Sequence, residues 1–487
     1  MYSDILIVGA GVMGCALARE LGRYEATVTV LERGHDVAEG ASKANSGIVH
    51  AGFDAAPGSL KAKLNVEGAK MMPALCAQLG VPYRQNGALV VAYSQRERRT
   101  LEALLERGRQ NGVSGLEMLE REALLALELN ANPEAVCALH APTSGIVSPY
   151  ELTYALADHA AVCGAAFRFN APVERIERAG GLWRAIVGGE VYRCGVLILC
   201  AGADGVRLRE FAGGRGMRLI PRRGQYVLLD RPDKLPFERT MFMCPTERGK
   251  GALVAPTVHG NVLLGPSAED ISDAEDTATT AAGLEGVLEA CRKTWPGLSV
   301  RSAVTNFSGV RAHEEHGDFV IGRLAENAYE AAGIESPGLS AAPAAARMLA
   351  GQIAREQGLS LRARVPMAPA REKPFSEMTD EERGEAVRRD PLHGRIVCRC
   401  EMVTEAEIRA AIRRPVGATS VDGVKRRTRA GMGRCQGGFC SPRVMEILAQ
   451  EWGVPMTEVT KSGSGSRLLT GTIREAMKRI GEEEEKR

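Results

Sequence analysis

One stretch constrains this chain more than any other: DILIVGAGVMGCALARELGRYEATVTVLER, residues 4–33. Ile5 to Val8 are four consecutive apolar residues, the pattern of a strand buried on both faces. Gly9, Gly11 and Gly14 then spell G-x-G-x-x-G at a tight turn, a helical stretch follows, and Thr27 to Leu31 read as a second strand ended by Glu32. The first glycine permits the turn, the second lets a pyrophosphate approach the backbone, and the third lets helix and strand pack closely. The helix start offers free N–H groups and the positive end of its dipole to phosphate. Glu32 stands where an acidic side chain binds ribose hydroxyls. A lone G-x-G-x-x-G says little, but strand, helix and acid in this order define a dinucleotide site in an α/β fold.

At 487 residues the chain is too long for one ordinary core and calls for two or three domains. A formal net charge of +2 gives no sign of a protein built around nucleic acid or a membrane surface. No apolar run reaches the roughly 20 residues a bilayer span requires. The first strand begins after three residues, which leaves no room for a signal peptide, so a cytoplasmic location is expected. In a reducing compartment the twelve cysteines are not a disulfide framework. Eight of them (Cys15, Cys76, Cys137, Cys163, Cys194, Cys200, Cys244 and Cys291) sit among apolar or small neighbours and read as core residues. The remaining four, Cys398 and Cys400 in C-x-C and Cys435 and Cys440 in C-x4-C, have the density of a metal centre. Zinc accepts four thiolates but favours C-x2-C spacing, and a redox dithiol is a further reading.

After the second strand an NAD-binding fold would continue into another helix and strand. Here the small, polar segment EGASKANSGIVHAGF, residues 39–53, follows instead. It resembles the flavin-contacting segment of the D-amino-acid oxidase superfamily. VLILCAGADG (196–205), PRRGQYVLL (221–229), GDFVIGR (317–323) and AGIESPGLSAAPAAARMLAGQIA (332–354) resemble later elements of that family in the usual order. The resemblance runs from residue 1 to about 360 and implies an α/β FAD-binding Rossmann-like domain with an α+β substrate domain. Residues 1–80, 148–212 and 318–360 would form the former, and 81–147 with 213–317 the latter. Flavin contacts would come from Gly9, Gly11, Gly14, Glu32, Arg33, Ser42, Asn45, Ser46, Gly47, Val173, Ala201, Gly202, Gly333, Gly338 and Leu339. A helix starting at Gly338 would aim its positive end at the pyrimidine side of the flavin, favouring the reduced, anionic ring.

A flavin enzyme acting on an alcohol also needs a base for the hydroxyl proton. His50 fits that role, with Gly47 and Gly52 allowing a close approach to the ring; a histidine that only closes the loop is the plainer alternative. Arg311 matches the family position that holds a substrate carboxylate or phosphate, against the plainer reading of an ion pair with Glu314 or Glu315. His313 and His316 have a spacing that would suit a metal pair, but no further ligand joins them in an obvious pattern. The run NSGIVHAGFDAAPGSLKAKLNVEGAK is similar to the L-2-hydroxyglutarate oxidase branch, and relatives with this front end are regarded as glycerol-3-phosphate dehydrogenases. Lys61 and Lys63 either add positive charge for the donor or form a solvated helix face. The last flavin loop, ESPGLSAAPA, lacks the lysine of the G-G-K-x-T-like element of glycerol-3-phosphate dehydrogenases, which counts against a phosphate.

Residues 361–393 switch to proline and charge and read as a linker, with a short helix expected from Ser376 to Arg389. Beyond it, Thr404 and Glu407 make a capping box for a helix that carries Ile408 and Ile412 on one face, and Ser441 to Trp452 read as a second helix. RRTRAGMGRCQGGFC, residues 426–440, resembles the bacterioferritin-associated ferredoxin-like [2Fe–2S] domain. That resemblance implies a small helical C-terminal domain over 394–455 in which Cys398, Cys400, Cys435 and Cys440 hold the cluster. Lys425, Arg426, Arg427, Arg429 and Arg434 would offset its negative charge. Residues 456–487 form a tail with a frayed acidic end.

Together these readings imply an FAD-dependent dehydrogenase for a small anionic alcohol that passes electrons through a [2Fe–2S] cluster to a protein acceptor or companion subunit. Membrane association would come only through a partner. Glycerol 3-phosphate is the first expected donor because such tails accompany that activity; L-2-hydroxyglutarate and then an amino acid follow. The rivals from other classes are an electron-transfer adaptor without its own substrate and a zinc-stapled regulatory protein.

Overall fold

The computed structural model describes residues 1–245, 251–474 and 477. The acidic end GEEEEKR, expected to fray, lies outside them. By internal contacts the chain divides into two units: residues 1–33 with 37–370, and residues 34–36 with 371–487.

The first unit is built on two large sheets. In the eight-stranded sheet, Tyr2–Val8 is central, paired in parallel with Val28–Leu31 on one side and Glu190–Leu199 on the other. The apolar run of Tyr2–Val8 requires cover on both faces, and helices Val12–Leu21, Pro149–Val162 and Gly338–Gln357 pack together in one helical layer. The second strand begins at Val28 rather than Thr27, because the Asp4 carboxylate accepts bonds from both the Thr27 amide (2.8 Å) and its hydroxyl (2.7 Å). All eight scattered cysteines are buried free thiols, as expected.

The nine-stranded sheet carries the longest strands, Leu219–Leu229 and Ala303–Glu314, paired antiparallel along almost their whole length. Their register sets Arg222 directly opposite Arg311. A three-stranded sheet of Ile48–Val49, Gly145–Val147 and Tyr83–Arg84 fixes the base of the polar loop that follows the second strand.

The second unit is small and mostly helical, with Glu405–Ile412, Val421–Thr428 and Ser441–Trp452 around a core of Ile408, Val424, Ile447 and Leu448. The Thr404/Glu407 capping box forms, and Ile408 and Ile412 are both buried. The linker helix starts at Asp380, not Ser376: Thr379 and Glu382 form a reciprocal cap that fixes the start, and Phe375–Glu377 make a separate 3₁₀ turn.

Candidate active site and thiol centre

The glycine turn is shaped as a phosphate approach requires. A Cβ on Gly9 would lie 2.4 Å from the Cys200 carbonyl oxygen, and one on Gly14 would lie 1.9 Å from the Gly9 carbonyl oxygen. These contacts press the turn against the end of Glu190–Leu199 and the helix against the turn, which only glycine allows. No side chain caps the helix at Gly11, although the Ser42 hydroxyl accepts the Val12 amide at 2.9 Å. Glu32 closes the second strand and accepts the Ala10 amide at 2.7 Å, so its carboxylate stands at the turn.

A cavity of about 1300 Å³ reaches the start of the following helix at Val12 and runs through the first unit. That exceeds the roughly 300–1,000 Å³ usual for a small-ligand site and suits a dinucleotide with a donor beside it. Its wall brings together Ser42, Asn45, Ser46, His50, Arg311, Gly338 and Leu339. The other residues expected at the flavin, Gly9, Gly11, Gly14, Glu32, Arg33, Gly47, Val173, Ala201, Gly202 and Gly333, are not part of that wall. Arg33 is instead ion-paired with Asp204 and, at 2.7 Å, with Glu275. Val173 packs in the core beside the large sheet, and its carbonyl accepts from Arg207 at 3.0 Å. Gly47 and Gly52 also meet close neighbours. Cβ atoms there would lie 2.4 Å from the Val147 carbonyl oxygen and 2.4 Å from Val66, so both glycines serve packing beneath the loop.

His50 is buried and faces the Phe242 ring at 5.7 Å between centroids. Its backbone is clamped from both sides: its amide donates to the Ser340 hydroxyl (2.9 Å), and its carbonyl accepts from the Asn65 carboxamide (3.1 Å), which also accepts the Gly52 amide (3.1 Å). The Ser336 hydroxyl lies 3.4 Å from Nε2. The sequence reading passed over Asn65, Ser336, Ser340 and Phe242. Asn65 alone left a signal, a carboxamide at a core position of the helix Leu60–Leu79.

Arg311 lines the cavity and makes no ion pair among the described residues. Glu314 is buried and accepts the His316 amide at 2.8 Å, so the plainer alternative, an ion pair of Arg311 with Glu314 or Glu315, does not form among the described residues. One Arg311 nitrogen donates to the Ser267 carbonyl at 3.3 Å, while its Nε is buried without a partner. Across the strand pair, Arg222 is gripped by both oxygens of Asp270 (2.6 and 3.1 Å), which holds that carboxyl below its usual range. One arginine is balanced, and its cross-strand neighbour is left open to an anion.

Lys61 reaches the cavity wall but pairs with Glu335 at 2.9 Å, whereas Lys63 is exposed. Burial would raise the Glu335 carboxyl, but Lys61 and His313 (3.0 Å) outweigh it and hold the group below the ordinary carboxylate range. His313 is therefore engaged away from His316, whose donors gather instead with Glu314 and Glu315 at an exposed turn.

In the second unit the four cysteines form two pairs. Cys400 and Cys435 sulfurs are 3.7 Å apart, and the buried Cys398 and Cys440 thiols interact with one another. A metal–sulfur bond of about 2.3 Å gives tetrahedral S···S edges of about 3.8 Å, so four thiolates on one zinc would all lie that close. Among the described residues no three of these sulfurs gather within 4.8 Å of one another. Two separated pairs fit a two-iron cluster instead. The Cys398 thiol is drawn down to about 6, first by Cys440 and then by the backbone amides of Gly431 and Glu401, against burial. The Phe439 and Gly437 amides lower Cys435 in the same way, so donors already point at the sulfurs. Two members of the basic run are already paired. Arg427 is held by both oxygens of buried Asp36 (2.6 and 2.7 Å), and Arg429 by Glu401 (2.8 Å), which balances both charges.

The fold and site define a dinucleotide-dependent oxidoreductase joined to a thiolate-cluster domain. The family model for FAD dependent oxidoreductases (DAO) matches residues 4–352, and that for BFD-like [2Fe–2S] binding domains matches residues 396–450. A glycerol 3-phosphate dehydrogenase of Caloramator mitchellensis is 44% identical over 96% of this chain and 98% of its own length. The mitochondrial L-2-hydroxyglutarate dehydrogenase of Bos taurus is 35% identical over 54% of this chain and 60% of its own. Among solved structures, dithionite-reduced L-alpha-glycerophosphate oxidase from Mycoplasma pneumoniae with FAD bound superposes with a TM-score of 0.73 at 32% identity, covering 77% of this chain and all of that one. The chain belongs to the DAO family of FAD-dependent oxidoreductases and carries a C-terminal [2Fe–2S]-binding domain. Its cofactors are FAD and a [2Fe–2S] cluster. No helix among the described residues is long and apolar enough to cross a membrane.

Proposed function

We propose that the chain oxidises sn-glycerol 3-phosphate to dihydroxyacetone phosphate and sends the two electrons singly to a protein acceptor in the cytoplasm. The observation that carries this reading is Arg311, a guanidinium on the cavity wall with a buried, unpartnered Nε and no carboxylate of its own. A planar guanidinium in that state recognises a phosphate or carboxylate, and the balanced Arg222 beside it leaves the charge deficit at one point. The near full-length likeness to a glycerol 3-phosphate dehydrogenase supports the phosphate over the carboxylate, although the last flavin loop carries no lysine.

His50 takes the hydroxyl proton of the donor as the carbinol C–H bond breaks. Its backbone clamp by Ser340 and Asn65 fixes the imidazole against Phe242, and Ser336 lies beside Nε2 to orient it. Arg311 binds the anionic end and holds the carbinol carbon in place. Bound FAD supplies the hydride acceptor, and the [2Fe–2S] cluster supplies the change from two-electron to one-electron transfer.

The test is anaerobic mixing of the holoenzyme with glycerol 3-phosphate, its carbinol-deuterated form, 2-hydroxyglutarate and amino acids, following flavin absorbance. Bleaching by glycerol 3-phosphate, slowed by deuterium, is expected. Bleaching by 2-hydroxyglutarate but not by glycerol 3-phosphate overturns the donor assignment. No bleaching by any of them points to the electron-transfer adaptor.

A further inference from the structure

The two thiol pairs differ in access. Cys398 and Cys440 are buried in the helical core, whereas Cys400 is exposed and Cys435 half-exposed. The difference is local: the strand Ile396–Cys398 ends at the first thiol, and the turn after it swings Cys400 outward. Beside this outer pair stands Phe439, 87% exposed, the most exposed large hydrophobic residue described. Phenylalanine is enriched among the residues that protein–protein contacts cover.

Charge around the outer pair is one-sided. The cysteine-bearing segments 395–402 and 431–443 contain Arg395, Arg399, Arg434 and Arg443 against one acid, Glu401. Glu401 is buried and already paired with Arg429. Arg395 and Arg443 both lean on Glu405. Arg399 and Arg434 are exposed, and Arg399 has no carboxylate partner among the described residues. An exposed aromatic edged by the Arg399 guanidinium is complementary to an acidic protein surface, and such charge steers a partner into register.

We propose that the surface formed by Phe439, Arg399 and Arg434 over the Cys400/Cys435 pair is the docking site for an acidic protein that carries one electron per encounter. This rests on the relay reading above and adds the exit point. Each donor oxidised releases two electrons and two protons: the electrons leave in two encounters, each reducing one acceptor molecule by one electron, and both protons pass to solvent from the first unit.

The test uses the full-length holoenzyme and an acidic plant-type [2Fe–2S] ferredoxin as probe. Binding of the oxidised probe is measured by titration, and transfer is measured by stopped flow from chemically reduced holoenzyme, so neither needs the donor. Arg399→Glu is expected to weaken binding and slow transfer about tenfold at low salt, with a flatter salt dependence. Phe439→Ala is expected to slow transfer about tenfold. Reduction of a small neutral quinone and the electron paramagnetic resonance signal of the cluster should not change in either variant. Unchanged transfer to ferredoxin in both variants overturns the proposal. So does a parallel fall in quinone reduction, or failure of the unaltered holoenzyme to bind the probe. A holoenzyme that docks ferredoxin but is not bleached by glycerol 3-phosphate keeps the surface and loses only the donor assignment.

Discussion

Gly433 sets how closely the second cysteine segment passes the first, and adding one methyl group there tests the thiol centre directly. A Cβ at Gly433 would sit 2.3 Å from the Cys400 Cβ, 3.4 Å from its sulfur and 3.3 Å from a Glu401 carboxylate oxygen. Carbon atoms rest at about 3.5–4.0 Å, so the segments must part by about 1.2–1.7 Å. That exceeds half of a metal–sulfur bond of about 2.3 Å. The Cys400 Cβ is bound to the main chain and cannot swing away as the end of a flexible side chain would. Overpacking of this kind costs about 1–3 kcal/mol, which lowers cluster retention about fivefold to 150-fold. The assay is iron and acid-labile sulfide per flavin, with flavin as internal standard because the glycine turn that serves it lies in the first unit. Gly433→Ala should keep its flavin and lose most of its cluster, and Gly433→Ser should do the same. Full iron occupancy in both variants would falsify the claim that this contact sets the thiol spacing.

Arg311→Gln should lower kcat/KM for the anionic donor by about 2–5 kcal/mol, thirtyfold to several thousandfold, with flavin content unchanged; steady-state kinetics and flavin absorbance check both. A smaller loss is expected for Arg311→Lys, since a point charge replaces a planar fork. Asn65→Leu removes the donor to the His50 carbonyl and the acceptor of the Gly52 amide, at about 1–3 kcal/mol each, so the thermal midpoint of the first unit should fall by calorimetry. Glu335 has a depressed carboxyl, so its contribution to stability is present above the ordinary value of 4.5 and is lost as pH falls through its lower folded value. Glu335→Gln should therefore flatten the acid limb of the midpoint-against-pH curve, and an unchanged limb would remove the pair with Lys61 as a contributor.

What could be read from the sequence is what local physics dictates. The strand Tyr2–Val8, the helix after it and the cap at Thr404 depend on neighbours within a few residues, and each forms as the pattern requires. The linker helix starts four residues after Ser376, because Thr379 has a glutamate three residues on, Glu382, that reaches back to close the cap. The charge state of the anion site could not be read at all. Whether Arg311 is open depends on Asp270 choosing Arg222, a choice made by the register of two strands far apart in sequence. The same holds for Arg427, whose partner Asp36 is hundreds of residues upstream. A run of basic residues shows how much charge is present but not which of it is already balanced.

The thiol centre shows why spacing alone left zinc, a dithiol and an iron–sulfur cluster all open. C-x-C and C-x4-C offer one pair within each segment. The pairs that form are nested, Cys398 with Cys440 and Cys400 with Cys435, so each takes one sulfur from each segment. Nesting follows from the fold. Cys398 ends a strand facing the core, Cys440 lies at the start of the helix Ser441–Trp452 in that same core, and the turns between them push Cys400 and Cys435 outward together. One pair is thereby buried against apolar side chains and the other left at the surface. A single tetrahedral ion has no use for that inequality, since its four ligands are equivalent. A two-metal centre with an inner and an outer end does, and only the outer end can meet another protein.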